Sequence, residues 1–321
     1  MKRIFATAVV ALIPTAAYAD EATHYDGFGS IAAGYGVFDA GDYSYSSGYT
    51  DGGSSQGSGT SNTTLSGLDL EGRVSVTVPL GGSLGAQVDG VFARNSLKQR
   101  NCSGCSTFNV SESTGAAHLF VRNPHKGLIG VSAQRTSSNQ SYGNSQATYY
   151  LGGDAQLYLG RATIGTQVAY VTTDTSGSYG QKGYVAAAYV RVFPMDNLSL
   201  SLNVSYGKQD WKPNSNSGYN CPGYCYTQQF KASDFGAKAE YRLPGSRVSM
   251  FATVDYTDQS YGNDYRSGTY FSINHNEGSN VRALFGFKLN FGSSTLYQRD
   301  RSGASLDPFP SPAFGAWNYE N

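Results

Sequence analysis

The stretch SGLDLEGRVSVTV, Ser66 to Val78, keeps a strict two-residue alternation. Leu68, Leu70, Val74, Val76 and Val78 fall on one side, and Asp69, Glu71, Arg73, Ser75 and Thr77 on the other. A period of two marks a strand, because a helix would scatter the same residues around its whole circumference. One side of this strand suits an apolar surrounding and the other suits water.

The same pattern recurs along the chain. Alternating runs lie near 84–94, 114–122, 127–137, 147–159, 162–173, 182–193, 197–208, 233–243, 247–258 and 280–291. Each is about 10 to 12 residues long, the length a tilted membrane strand requires. With the glycine-rich stretch GFGSIAAGYGVFD at 27–39, where Ile31, Ala33, Tyr35 and Val37 alternate, they make about twelve strands. An even number is what a single-chain antiparallel barrel uses.

The connections alternate as well. PLGGS, NPHKG, GRA, FPMDN and LPGS are short enough for hairpin turns, whereas the stretches near 39–65, 96–113, 138–146, 174–181, 209–232 and 259–279 are long. Short periplasmic turns and long outside loops fix the orientation of a barrel in a membrane. Aromatics supply a third signal. Tyr35, Phe92, Tyr149, Tyr170, Tyr184, Tyr206, Phe235 and Tyr256 gather on the apolar side at the long-loop ends, where rings with a polar tip favour the membrane–water boundary. A secreted β-sandwich would also alternate, but has no reason to sort aromatics to one rim. The fold class expected is therefore all-β, an up-and-down transmembrane barrel.

Composition agrees with export and with a barrel. Lys2 and Arg3 precede an apolar stretch from Ile4 to Ile13, and Ala17-Tyr18-Ala19 follows, so residues 1–19 read as a secretory signal peptide. The mean hydropathy of -0.37 does not speak against a membrane, because alternating strands average out as polar. Lys plus Arg 23 against Asp plus Glu 23 leaves no net charge, which argues against a nucleic-acid partner.

The last run, VRALFGFKLNF from Val281 to Phe291, carries a family likeness. With Gly286, Leu289 and Phe291 at its end, it resembles the terminal assembly signal of Gram-negative outer-membrane β-barrel proteins of the porin-like kind. The resemblance extends over most of the mature chain, 20–291. It implies export through the periplasm, insertion by the barrel-assembly machinery, contact with outer-membrane lipid and lipopolysaccharide, and a channel for small solutes. The pattern is shared by barrels of many functions. Members usually stop at the aromatic residue, and this chain continues through a tail, 292–321, expected on the periplasmic side.

The inward faces hold the candidate functional residues. Asp69, Glu71 and Asp255 lie toward the outer mouth, and Arg122, Arg191, Arg242, Arg247 and Lys288 toward the periplasmic end. Asp89, Asp154, Arg73, Lys238 and Glu240 lie between, while Arg282 near the top breaks the trend. Such charges either bias which solutes pass or tie a narrow lumen together. Barrels of this size also include a phospholipase, which needs a serine activated by histidine. His118 is mid-strand on the polar side, and no serine motif around it signals catalysis, so no catalytic residue, cofactor or metal is expected. Cys102 and Cys105, and Cys221 and Cys225, form two close pairs in outside loops. That oxidising setting favours disulfides over a zinc site, with the connectivity open. The loops are rich in Tyr, Ser, Gly and Asn, which suits either saccharide or antibody recognition or plain solvation. In the tail, Pro308, Pro310 and Pro312 exclude a central strand, and Phe309, Phe314, Trp317 and Tyr319 are aromatic enough to dock in the lumen or on a periplasmic partner.

Overall fold

A computed structural model of the chain describes residues 24–49, 52–60, 63–99, 107–140, 145–175, 181–211, 224–267 and 270–310. The expected signal peptide lies outside them. Strands β1 (Asp26–Tyr49), β2 (Ser54–Thr60), β3 (Thr64–Gly81), β4 (Leu84–Gln99), β5 (Phe108–Asn123), β6 (Gly127–Gln140) and β7 (Ser145–Leu159) make the first half. Strands β8 (Ala162–Thr175), β9 (Gln181–Met195), β10 (Leu198–Trp211), β11 (Tyr224–Arg242), β12 (Val248–Ser267) and β13 (Tyr270–Phe291) complete the sheet, and a short helix α1 (Leu296–Ser302) follows.

Every neighbouring pair is antiparallel, and β1 pairs with β13 from Gly27↔Phe291 upward, so the sheet closes on itself. Twelve strands form the ring, since β2 pairs only with the part of β1 above the end of β3. Closure leaves no strand edge in contact with lipid, where an unpaired N–H or C=O costs several kcal/mol. The seam needs close backbone approach. A Cβ placed on Gly286 would sit 2.3 Å from the Ile31 carbonyl oxygen, so that position of the terminal motif tolerates only glycine without a shift.

The alternation read from the sequence sets the two faces. Leu202 is 67% exposed and Val168 57%, both on the outer wall, while Ser75, Thr77 and Thr163 are fully buried inside. The eight rim aromatics, Tyr35 to Tyr256, all point outward into the lipid boundary. An apolar outer belt around a polar interior is the physical definition of a membrane barrel.

The structure corrects the long connections. The described residues of the stretches near 39–65, 209–232 and 259–279, read as loops, are largely strand. β1, β11, β12 and β13 continue past the rim, still paired up to Tyr49↔Tyr270 and Tyr224↔Ser267. Ser, Gly and Asn have weak strand propensity, but a ladder already in register extends with little further ordering cost.

These faces set an expected outcome for neighbouring residues of β10. Leu202→Arg, on the lipid side and near mid-strand, should destabilise the inserted barrel by about 2–4 kcal/mol. Asn203→Arg, which opens into the lumen cavity, should cost far less. The shift between folded and unfolded bands on an unheated gel measures both, and equal damage would refute the register.

Candidate functional site

The interior holds a cavity and the chain's own C-terminal segment side by side. The cavity, about 480 Å³, is lined by charged, polar and apolar side chains and reaches from Asn95 and Gln259 near the long-loop end to Phe193, Ser199 and Leu296 near the short turns. The C-terminal segment occupies the rest of the lumen, and Ala304 to Pro310 form part of the cavity wall.

Local sequence explains how the segment turns in. Gly292 takes a positive φ of 96°, which reverses the chain after β13. Thr295 then caps α1, its hydroxyl accepting from the Gln298 N–H at 3.0 Å, and Ser294 donates to the Gln298 side chain at 2.8 Å. The helix lies across the mouth, with the Tyr297 N–H donating to the Asp196 carbonyl and Leu296 buried. Gly303 ends it against the first residue of β1. The Ser293 hydroxyl and the Ala304 N–H donate to Asp26 Oδ2 at 2.8 and 3.1 Å. A Cβ on Gly303 would meet that same oxygen at 1.5 Å.

Beyond Gly303 the chain climbs the lumen in extended form, and glutamines hold its carbonyls. Gln87 donates to Leu306 (2.8 Å), Gln156 to Ser305 (3.3 Å), Gln167 to Asp307 (2.7 Å) and Gln134 to Phe309 (3.1 Å). Pro308 and Pro310 have no N–H to satisfy, so a proline-rich strand is well suited to a groove that supplies donors. At the top Phe309 stacks on Tyr150 at 6.0 Å, in a small apolar cluster with Ala169, Val171 and Val185. The described tail thus runs from Arg122, beside the β5–β6 turn, up to Tyr150 near the long-loop end of β7.

Thirteen of the fourteen charged residues read as inward face the interior, and most are engaged; Arg247 instead is exposed in the turn between β11 and β12. Arg73 bridges Asp89 (3.0 Å) and Asp307 (2.5 Å), and Arg191 bridges Asp300 (2.6 Å) and Asp307 (3.2 Å). Arg122 donates to the Gly303 carbonyl and the Ser305 hydroxyl, both at 2.8 Å. Arg242 donates to the Ser293 carbonyl at 2.6 Å. Glu240 accepts from Lys288 (2.7 Å) and from Arg299 of α1 (2.9 Å). The basic residues toward the short-turn end are therefore matched largely by the tail. At the upper mouth Arg282, the exception in the sequence trend, sits among Asp69 (3.6 Å), Glu71 (3.3 Å) and Asp255 (3.3 Å). Lys238 lines the cavity with its ammonium 5.2 Å from the Phe251 ring centroid.

His118 is bracketed by Asp154 (3.1 Å) and Asp89 (3.3 Å), and Ser132 donates to Asp154 rather than to the imidazole. No serine–histidine pair is assembled there. Among the described residues no group of three His, Cys, Asp or Glu side chains could hold a metal. The disulfide expectation falls on Cys102, Cys105 and Cys221, outside the described residues, and on Cys225, whose backbone alone is described. Sequence reading missed Gln87, Gln134, Gln156, Gln167, Asp300 and Asp307. The run YQRDRS just after the closing aromatic was the available signal, because three consecutive charges there are too many for an idle linker.

No family model matches the chain, and no curated protein matches it. The fold has counterparts among solved structures. An outer-membrane channel from Pseudomonas putida F1 aligns over 82% of this chain and 95% of its own, at 13% identity and a TM-score of 0.52. A Pseudomonas aeruginosa FadL homologue aligns over 87% of this chain and 94% of its own, at 10% identity and a TM-score of 0.38. At such identities the first likeness speaks to the fold alone.

The tail contacts yield a protease prediction. Asp300→Ala would leave the Arg191 guanidinium short of a buried partner, a loss of about 3–5 kcal/mol for a buried pair, and so loosen the docked segment. Arg299 and Arg301, buried in the native barrel, should then become trypsin sites in the folded variant while staying protected in the parent.

Proposed function

We propose that this outer-membrane β-barrel of the porin-like class is a channel for passive diffusion of small hydrophilic solutes, entered from the long-loop side and closed at rest by its own C-terminal segment. The observation that carries this reading is the cavity along the barrel interior, walled in part by charged and polar side chains and narrowed by Ala304–Pro310. A segment held mainly by ion pairs and by hydrogen bonds to its carbonyls can withdraw into water, which replaces those contacts at modest net cost. A ring of twelve strands is wide enough to leave a passage once the filling is removed. Secretion by the N-terminal segment and insertion by the barrel-assembly machinery belong to the same reading.

Selectivity follows from the upper mouth. Three carboxylates around the single guanidinium of Arg282 leave a net negative entrance, and low-dielectric walls focus that field. Cations and neutral solutes are favoured. Arg191 and Arg242 hold the tail, so they act on closure before they act on selectivity.

Planar-bilayer recording tests both parts. The full chain should show rare or small openings, and a chain truncated after Phe291 should show larger and more persistent steps. Asp307→Ala, which leaves the barrel wall intact, should raise the open fraction in the same direction. A sealed trace from all three proteins would instead favour a non-conducting surface barrel acting in adhesion or structure. In the truncated channel Arg282→Gln should move the reversal potential toward cations.

A further inference from the structure

Above the rim, β2, β1, β13, β12 and β11 form a wall on one side of the mouth, reaching about ten residues past the end of the β1–β3 pairing, roughly 33 Å along the strand. Its inner face continues the lumen wall, and a bulge decides what that face carries. Between Ala40↔Gly278 and Tyr43↔Asn276, β1 has one residue more than β13. The extra residue flips the alternation, so Tyr43, Tyr45 and Tyr49 turn from the outer to the inner side.

The rings are laid open there. Tyr45 lies over Gly57 and Tyr43 over Gly59 of β2, so close that a Cβ on Gly57 would be 2.5 Å from the Tyr45 ring. Both tyrosines remain 42% exposed and Tyr49 57%. Tyr49 meets Tyr270 edge-on at 5.4 Å, and Tyr270 meets Tyr265 at 6.1 Å. Between the rings the registers place Asn274 beside Tyr45, Asn276 beside Tyr43, and Asn263 opposite Asn274. Gln228 on the next strand donates to the Tyr261 hydroxyl.

Charge is sorted to the other side. Lys231, Asp264, His275 and Glu277 have outward parity in the same strands, and His275 pairs with Glu277 at 3.1 Å. Among the described residues above the bulge, the inner face carries tyrosine, amide, serine and glycine, with Phe230 and Ala232 at its β11 edge, and no ionisable acid or base beyond the phenols.

We propose that this inner face is a binding surface for an uncharged oligosaccharide. The apolar C–H face of a pyranose stacks on an exposed tyrosine ring, and the hydroxyls both donate and accept, as asparagine and glutamine amides do. A strand of sugars matches an extended row of rings interleaved with amides. Nucleic acid would require cations to meet its phosphates, and an acidic glycan would require the same for its carboxylates. The face looks toward the barrel axis rather than toward lipid, so the ligand is a soluble chain at the mouth. This inference stands apart from the channel reading.

The test is binding of the purified full-length barrel in detergent to arrayed neutral and uronate-containing oligosaccharides, with folding checked by gel shift. Neutral chains should bind, and Tyr43→Ser with Tyr45→Ser should weaken them about tenfold. Tyr45→Phe, which keeps the ring, should retain binding. Absence of binding to every neutral chain, preference for uronates, or equal binding by the folded serine variant would each overturn the proposal. Conductance is not read in this assay, so a conducting barrel that ignores sugars counts against this inference alone.

Discussion

A backbone amide or carbonyl in hydrocarbon has no water to turn to, and the rest of this molecule follows from that. Every strand has two partners through the membrane, and the seam between β1 and β13 closes the last edge. Closure with tilted antiparallel strands fixes a circumference, and twelve strands give a lumen too wide for wall side chains to fill and too narrow for a broad aqueous pore. The space has to be managed. In this protein the chain's own end occupies part of the lumen, and a cavity runs beside it.

The filling shows how polar interiors are stabilised. Arg73, Arg122 and Arg191 line a narrow tube, where bringing like charges together in low dielectric is costly. Asp300 and Asp307 of the tail place carboxylates between them, and the tail's main chain receives the glutamine amides. These groups are held by another chain element rather than by an apolar core. Such an arrangement is specific in geometry and modest in net energy, which is the combination a removable closure requires.

The wall above the rim obeys the same alternation with one interruption. A single extra residue in β1 redirects three tyrosines, converting what would be an outer aromatic fringe into an inner surface. Pairing of Ser-, Gly- and Asn-rich segments holds because β12 and β13 are already in register from the membrane upward. The mouth therefore gains a shaped wall where composition alone indicates an open loop.

By itself the sequence determined the barrel, the strand number, the outward aromatic rim and, Arg247 apart, the inward charges. Each of these depends on a period of two that Ser66–Val78 displays without help from distant residues. Gly286 and Phe291 likewise sat where the closing strand ends. Only the tertiary structure decided what the charges do. Whether Arg191 faces water or Asp300 depends on a residue more than a hundred positions away, folded back by Gly292 and fitted against Asp26 through Gly303. The tyrosine face had the same blind spot: a bulge has no mark in local composition, because it exists only as a mismatch between two paired strands.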